Sequence, residues 1–499
     1  MAMLVALLLA SCSKQKGAAL VPEDAMLVMR FDVTKLQEKC GIDGKNSEVK
    51  DWVKEQIKDM DVDKDLRKKL LTIVDDPTAS GIDLTEPVYL YVSGNVKRGD
   101  FDGGLVGAMA SESDLTSLLE AALEEAGDEF SLEEQDGVKY LEANGTVMVY
   151  NGDWFYLGSA GKDVDDLIEQ LKERAGGNGS IVGNKAFEQM CSKDGVCQLM
   201  FQGAGLEELP DMDQVADMMP DGLELKDMAG VVDFILDEGE AVVTSELIAF
   251  SDEWQDYIDK ASEAMKPIAK EQTKFVSDKA LSCFVNIDPK ELYTYIKQMA
   301  KVYGIDSESL AQIKDVCNRL DGTLSFDGYG ISDNGPLFTV YVGTKDNGAY
   351  QMLKEAMAEN DSTATDGDAD KCLIPMDYDY DWDTGEITPS SWGELGYKNG
   401  QTYFSMDSDN AFSAPEKKYP TGEIKGTGIY LRFNFSCFKD YLDQVDGSAR
   451  EVMEAVGKLF DYAETYYEDG GKSVFRITTK DKSKTPVEAI AKYVKKYLN

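Results

Sequence analysis

A chain without a single histidine must do any chemistry with carboxylates, hydroxyls and thiols. The absence excludes a Ser-His-Asp triad, a Cys-His pair, histidine-ligated zinc and imidazole acid–base work. No Cys-x-x-Cys pair exists, so four-cysteine zinc and thioredoxin-type exchange have no residues to use. Carboxylates are abundant, and two stretches alternate them with other residues: Asp377-Tyr378-Asp379-Tyr380-Asp381-Trp382-Asp383-Thr384-Gly385 and Asp59-Met60-Asp61-Val62-Asp63-Lys64-Asp65. A calcium loop of the EF-hand kind needs Gly at its sixth position and Glu at its twelfth. Counted from Asp377 those places hold Trp382 and Thr388; from Asp59 they hold Lys64 and Leu70. Both fail, and an edge strand or loop with its carboxylates in water accounts for the first. Gly470-Gly471-Lys472-Ser473 has the ending of a phosphate loop, yet the place of the required earlier glycine is taken by Tyr466. A hairpin turn explains it. Two carboxylates can hydrolyse a glycoside without histidine, but among 93 acidic residues the sequence nominates no pair. Trp154 and Trp392 could stack on sugars; aromatic core packing explains them more simply.

The thiols are of two kinds. Cys40, Cys191, Cys197, Cys283, Cys317, Cys372 and Cys437 form an odd, scattered set rather than a disulfide framework. Cys191 and Cys197 flank a turn-like loop and could pair in an oxidising compartment; the others read as small buried apolar residues. Cys12 differs, because it closes the apolar run Met3 to Ala10. That run is too short for a membrane helix of about 20 residues and fits the core of a secretory signal, about 7–15 residues. Leu9-Ala10-Ser11-Cys12 resembles the lipobox of bacterial lipoproteins. The resemblance implies that residues 1–11 are a signal peptide, cut before Cys12, and that Cys12 carries the lipid. Each buried CH₂ contributes about 0.8 kcal/mol, so several acyl chains anchor stably where one holds marginally. No Lys or Arg precedes the apolar run, a departure from the usual basic start. Residues 12–19 then read as a lipidated, flexible tether.

Length and composition describe the body. With 499 residues, 43% of them hydrophobic and 10% aromatic, the chain is globular and long enough for two to four domains. Its 51 basic against 93 acidic residues leave a formal charge of −42. That charge opposes nucleic acid, whose phosphates need clustered Lys and Arg. It also opposes adsorption to anionic lipid, leaving membrane attachment to Cys12 alone.

The elements that carry these residues repeat. Val28–Leu36, Gln198–Leu206, Phe284–Leu292 and Tyr430–Phe438 each run through an apolar residue into a polar one, with a second apolar residue four places later. Asp32, Gln202, Asp288 and Asn434 are the predicted helix caps, and the flanking pairs, such as Phe433 and Phe438, are hydrophobic staples. Pro289 takes the first helical position, where a missing N–H is harmless. Gln202 is the poorest cap. Strands around Leu105–Met109, Ala241–Phe250, Leu337–Val342 and Val474–Thr479 precede helices with predicted caps Ser113, Ser251, Asp346 and Thr485, the last followed by Pro486. Asn151-Gly152 and Asn399-Gly400 each stand before an aromatic strand, the strongest short hairpin signal. The order predicts an α+β architecture of two diverged repeats, residues 20–275 and 276–499. Each is read as a mainly antiparallel sheet with helices packed on one face.

Val21 to Ile42, "VPEDAMLVMRFDVTKLQEKCGI", lies directly behind the lipobox. With the "DPKELYTYI" segment at Asp288 to Ile296, it resembles the Bacteroidetes lipoproteins grouped as domain of unknown function 4836. The resemblance implies a cell-envelope lipoprotein without assigned activity, and it transfers no catalytic residue, metal ligand or cofactor. Ser13-Lys14-Gln15-Lys16 is basic where surface export in that phylum tends to use acidic residues, so a periplasm-facing location is expected. Asp361-Ser362-Thr363, within a polar loop from Asn360 to Asp370, resembles the O-glycosylation acceptor motif of Bacteroidetes, at Ser362. The Met-rich stretch from Leu206 to Met228 reads as a helical hairpin on its own sheet or a partner groove. The function predicted is therefore a non-catalytic lipoprotein that binds an envelope protein or a ligand such as a glycan. A carboxylate-based glycan hydrolase and a purely structural envelope component are the alternatives.

Overall fold

The computed structural model describes residues 16–497 except 43–47, 96–99, 127–130, 144, 160–162, 208, 210–218, 221, 301–302, 333–334, 361–364, 367–369, 381–386, 407–410, 414, 416–418, 420–423, 425 and 469–470. Two contact units divide the chain. The first takes Met1–Asp217, Gly222–Gln255 and Lys482–Asn499; the second takes Met218–Asp221 and Asp256–Asp481.

The first unit contains strands β1 Ala25–Phe31, β2 Val88–Asn95, β3 Asp100–Ala108, β4 Glu133–Gln135, β5 Val138–Ala143, β6 Thr146–Tyr150, β7 Trp154–Ser159, β8 Cys197–Gln202, β9 Met228–Asp237 and β10 Glu240–Ala249. Every pairing is antiparallel, in the order β4-β5-β6-β7-β3-β2-β1-β8-β9-β10. Its helices include α1 Val33–Lys39, α2 Glu48–Asp59, α3 Lys64–Asp75, α4 Glu112–Ala126, α5 Val164–Ala175 and α6 Lys185–Cys191. Helices lie against both faces of this sheet, not one. Tyr89, Val106, Val149 and Tyr156 join Leu171 of α5 and Phe187 of α6 in one core. Their strand neighbours Val88, Tyr150 and Phe155 join Leu115 of α4 in another. Runs such as Val147-Met148-Val149-Tyr150 are unbroken because both faces are buried.

The second unit contains α7 Asp252–Ala264 from residue 256 on, β11 Leu281–Asn286, α8 Pro289–Met299, α9 Ser307–Arg319, β12 Leu320–Ser332, β13 Gly335–Thr344 and α10 Gly348–Asn360. There follow β14 Thr365–Asp366, β15 Lys371–Tyr380, β16 Ile387–Lys398, β17 Gln401–Ser405, β18 Thr427–Asn434, α11 Ser448–Leu459, β19 Phe460–Glu468 and β20 Lys472–Thr479. The order is β14-β15-β16-β17-β13-β12-β11-β18-β19-β20, again antiparallel throughout. It is the order of the first unit with ten added to each strand number.

Local chemistry explains the element ends. Asp32 accepts the Lys35 N–H at 3.0 Å, Asp288 the Lys290 N–H at 2.9 Å and Asn434 the Ser436 N–H at 3.1 Å. The Phe433 and Phe438 rings, 5.6 Å apart, close the staple expected there. Gln202 makes no cap bond; its amide donates instead to the Ala25 carbonyl at 2.7 Å. Thr485 forms a capping box with Glu488 at the head of the C-terminal helix α12, Pro486–Tyr497. Ser251 accepts the Trp254 N–H at 3.3 Å, and Asp346 the Gly348 N–H at 2.7 Å. The cap of α4 is Ser111, not Ser113: its hydroxyl accepts the Asp114 N–H at 3.3 Å. Asn399 and Gly400 both hold positive φ, 55° and 77°, as a two-residue type I′ turn requires.

The division near residue 255 differs from the sequence boundary at 275/276 for a physical reason. Gln272, Ser277 and Asp278 bond to β11, β12 and β18, so the segment before β11 folds with the second unit. The last eighteen residues return to the first unit, where α12 packs on α2.

Candidate functional site

In each sheet, a row of register partners that carries charge crosses strand after strand on a single face. In the second unit the row reads Glu394, Ser405, Thr339, Asp327, Ser282, Arg432, Glu464 and Arg476, on β16, β17, β13, β12, β11, β18, β19 and β20. All eight are polar. The first seven are buried, and Arg476 is half-buried. A buried charge is tolerated when it is paired or hydrogen-bonded; Glu394, Arg432, Glu464 and Arg476 are ion-paired, and Asp327 is hydrogen-bonded.

Glu394 accepts the Tyr403 hydroxyl at 2.5 Å and pairs with Lys371 at 3.0 Å. Thr339 and Ser405 share a hydroxyl bond of 2.8 Å. Asp327 accepts the Ser277 N–H at 3.0 Å and the Ser277 hydroxyl at 2.8 Å. Burial nevertheless pushes the Asp327 carboxyl up to about 6, against the lowering effect of those bonds. Arg432 pairs with Asp278 at 3.2 Å and lies 3.6 Å over the Tyr462 ring. Glu464 takes the Tyr430 hydroxyl at 2.6 Å and Arg476 at 2.8 Å. The face is covered by irregular chain: Gln272 donates to the Val285 and Leu324 carbonyls, and Phe412 stands edge-on to Tyr403 at 4.9 Å.

The row through Arg30 in the first unit is polar on one side only. Arg30, Gln198, Asp233 and Thr244 follow one another on β1, β8, β9 and β10; Tyr89, Val106, Tyr156 and Val149 continue the row across β2, β3, β7 and β6. Arg30 donates to Gln198 at 2.5 Å, and Gln198 donates to Asp233 at 2.8 Å. Helices α5 and α6 cover this face.

What can such an arrangement do? Successive carboxylates of the second row, Glu394, Asp327 and Glu464, are three strands apart, about 14 Å at the usual strand spacing. Paired glycosidase carboxylates stand about 5–9.5 Å apart. The row therefore offers charge balance and fixed register, not a shared acid and base. No cluster of three or more Cys, Asp or Glu able to hold a metal ion occurs among the described residues.

Among the described residues, recesses open elsewhere as well. One, of about 380 Å³ between α3 and α4, mixes Asp65 and Asp114 with Lys68 and Lys69. Another, of about 470 Å³, lies between the Phe435–Asp440 turn and α11 and is lined by phenylalanine and lysine.

The residues singled out from sequence are scattered. Cys12 and Ser362 lie outside the described residues, as does much of the Met-rich stretch, residues 208, 210–218 and 221. Cys191 and Cys197 form no disulfide. Both remain thiols, and burial, then Asp233, pushes Cys197 up to about 11. Trp154 is in the core, whereas Trp392 is exposed on β16. Asp63 caps α3 through the Asp65 N–H, which explains one carboxylate alternation; Asp377 and Asp379 are exposed on β15, while Asp381 and Asp383 lie outside the described residues. Gly471, with φ 76°, belongs to the β19–β20 turn. The buried rows were not found from sequence. Their signal was a lone charge inside an apolar strand, as in Val28-Met29-Arg30-Phe31 and Tyr430-Leu431-Arg432-Phe433.

Residues 18–381 match the family model described as "Domain of unknown function (DUF4836)". The chain belongs to this family. No curated protein matches it. Among solved structures it is similar to "Structure of crystal form IV of TP0453", at TM-score 0.30 and 14% identity, over 50% of this chain and 86% of that one. Crystal form III of the same protein gives TM-score 0.28 at 14% identity, over 51% and 89%. No described helix of this family member is long and apolar enough to cross a membrane.

Proposed function

We propose that this chain is a non-catalytic cell-envelope lipoprotein of Bacteroidetes type, acylated at Cys12 and facing the periplasm. Its body binds a protein partner or ligand. The supporting observation is the second unit's row, in which Glu394, Asp327 and Glu464 each have a fixed donor and stand about 14 Å from the next. Residues arranged so hold a fold in one register and leave its surface to do the work. The two units are read as diverged copies of one ancestral repeat, supported by their common strand order. Ser362 is the candidate glycan acceptor, on the sequence motif alone. The test is metabolic labelling with a clickable fatty acid, wild type beside Cys12→Ser, followed by crosslinking pulldown from native envelopes. Labelling that disappears in Cys12→Ser, with a partner recovered from the wild type, is the expected result. An unlabelled wild-type protein would overturn the anchored reading.

A further inference from the structure

The geometry points to a binding site for a single-chain fatty carboxylate in the 470 Å³ recess beside α11. The assignment deepens the binding reading above and does not depend on the anchor. Its floor is aromatic. Phe435 and Phe438 stand 5.8 Å apart, and each contacts Phe433, at 5.3 and 5.6 Å. Leu442 from the turn side and Met453 from α11 extend the apolar lining. Phe438 is there because the staple of Asn434 needs an apolar residue at that place, so the fold itself supplies part of the floor.

The rim carries the opposite character. Lys439, Lys458 and Lys480 line the recess against Glu454 alone, a local excess of cations in a chain of formal charge −42. Lys458 is 3.1 Å from Glu454, and Lys480 donates to the Gly457 carbonyl. The exposed Lys439 ammonium has no partner among the described residues. An apolar floor under an unneutralised cationic rim suits a ligand with a hydrocarbon tail and an anionic head. The volume falls within the range of small-molecule pockets, about 300–1,000 Å³. At roughly 30 Å³ per heavy-atom group, the share of one water in the liquid, it admits on the order of fifteen groups, one chain rather than two. A Cβ at Gly457 would stand 3.5 Å from the Phe435 carbonyl, so a long side chain there must enter the recess.

The test uses the full chain carrying Cys12→Ala, which removes any acyl groups of its own. Radiolabelled dodecanoate is the probe, in equilibrium dialysis, and unlabelled dodecanoate the competitor. Saturable binding displaced by unlabelled dodecanoate is expected, with dodecanol at least tenfold weaker. Lys439→Glu weakens binding at least tenfold without moving the melting temperature, since that side chain holds nothing else. Gly457→Met removes the binding. Equal competition by dodecanol, full binding by Lys439→Glu, or binding that needs anionic vesicles each overturns the assignment. A partner captured from envelopes by wild type and Lys439→Glu alike would leave the wider binding reading standing while the recess fails.

Discussion

The same strand order is filled in two different ways. Where the first unit puts Val149, Tyr156, Val106 and Tyr89 across its left-hand strands, the second puts Glu394, Ser405, Thr339 and Asp327. The covering layer changes with them. Helices α5 and α6 bury apolar side chains on the first row, whereas Gln272, Ser277 and Asp278 reach the second through hydrogen bonds and an ion pair. Topology is set by caps, turns and pleat; the interior row is free to be greasy or charged provided its cover matches. The first unit gains stability from area removed from water, about 25 cal/mol per Å² of apolar surface. In the second, pairing makes a wrong register costly instead.

Breaking the row should separate the two units most strongly. Arg432→Met leaves Asp278 buried without its cation and removes the charge lying on Tyr462. Loss of one partner from a buried pair costs about 3–5 kcal/mol. Arg30→Met is milder, because Gln198 still bonds to Asp233 and to the Gly195 carbonyl; about 1.5–3 kcal/mol is expected for the loss of hydrogen bonding from a charged group. Urea unfolding followed by single-tryptophan reporters, Trp392 for the second unit and Trp154 for the first, measures both. Equal losses would mean that the two rows are energetically alike.

A smaller effect is specific in pH. Asp327 has its carboxyl raised from 3.8 to about 6, chiefly by burial, so the folded state holds a proton that the unfolded state releases. Between those values the second unit must lose stability as pH rises, and the loss is complete above about pH 6. The full window is worth on the order of 3 kcal/mol. Tyr89, at the matching strand of the first unit, is pushed away from this range by burial and stays neutral. Asp327→Asn keeps a group that can bond to Ser277 and should flatten the second unit's profile between pH 4 and pH 6.5 while leaving the first unchanged. A profile that keeps its slope in the variant would assign the proton to another residue.

How much of this could be read beforehand depends on the range of the interaction. Asp32, Asp288 and Thr485 were legible because a cap and its N–H are two or three residues apart. Asn399-Gly400 was legible because positive φ at both places is a property of those residues alone. Ser111 and Ser113, two residues apart, carry the same capping chemistry, so no local pattern tells them apart. The second row escaped notice because its eight members come from positions 282 to 476 and meet only once the sheet is built. Of the recess, Phe438 was visible as a staple residue; Lys480 reaches it from the far end of β20, which no local pattern announces.

The smallest effect tests what the units share. Asp32 and Asp288 leave β1 and β11, the central strands of matching sheets, and each caps the helix that follows. Replacing a capping Asp by Ala costs typically about 1 kcal/mol. If the strand-to-helix corner is the common element and the row the divergent one, Asp32→Ala and Asp288→Ala should lower stability by nearly equal amounts in their own units. Differential unfolding with the same two tryptophan reporters reads each loss. Asp32 also approaches Lys35 at 3.7 Å, but a long, half-buried ion pair in contact with water adds only a few tenths of a kcal/mol. A gap of more than about 1 kcal/mol between the two variants would therefore not come from that pair. It would mean that the corner, like the row, differs between the units.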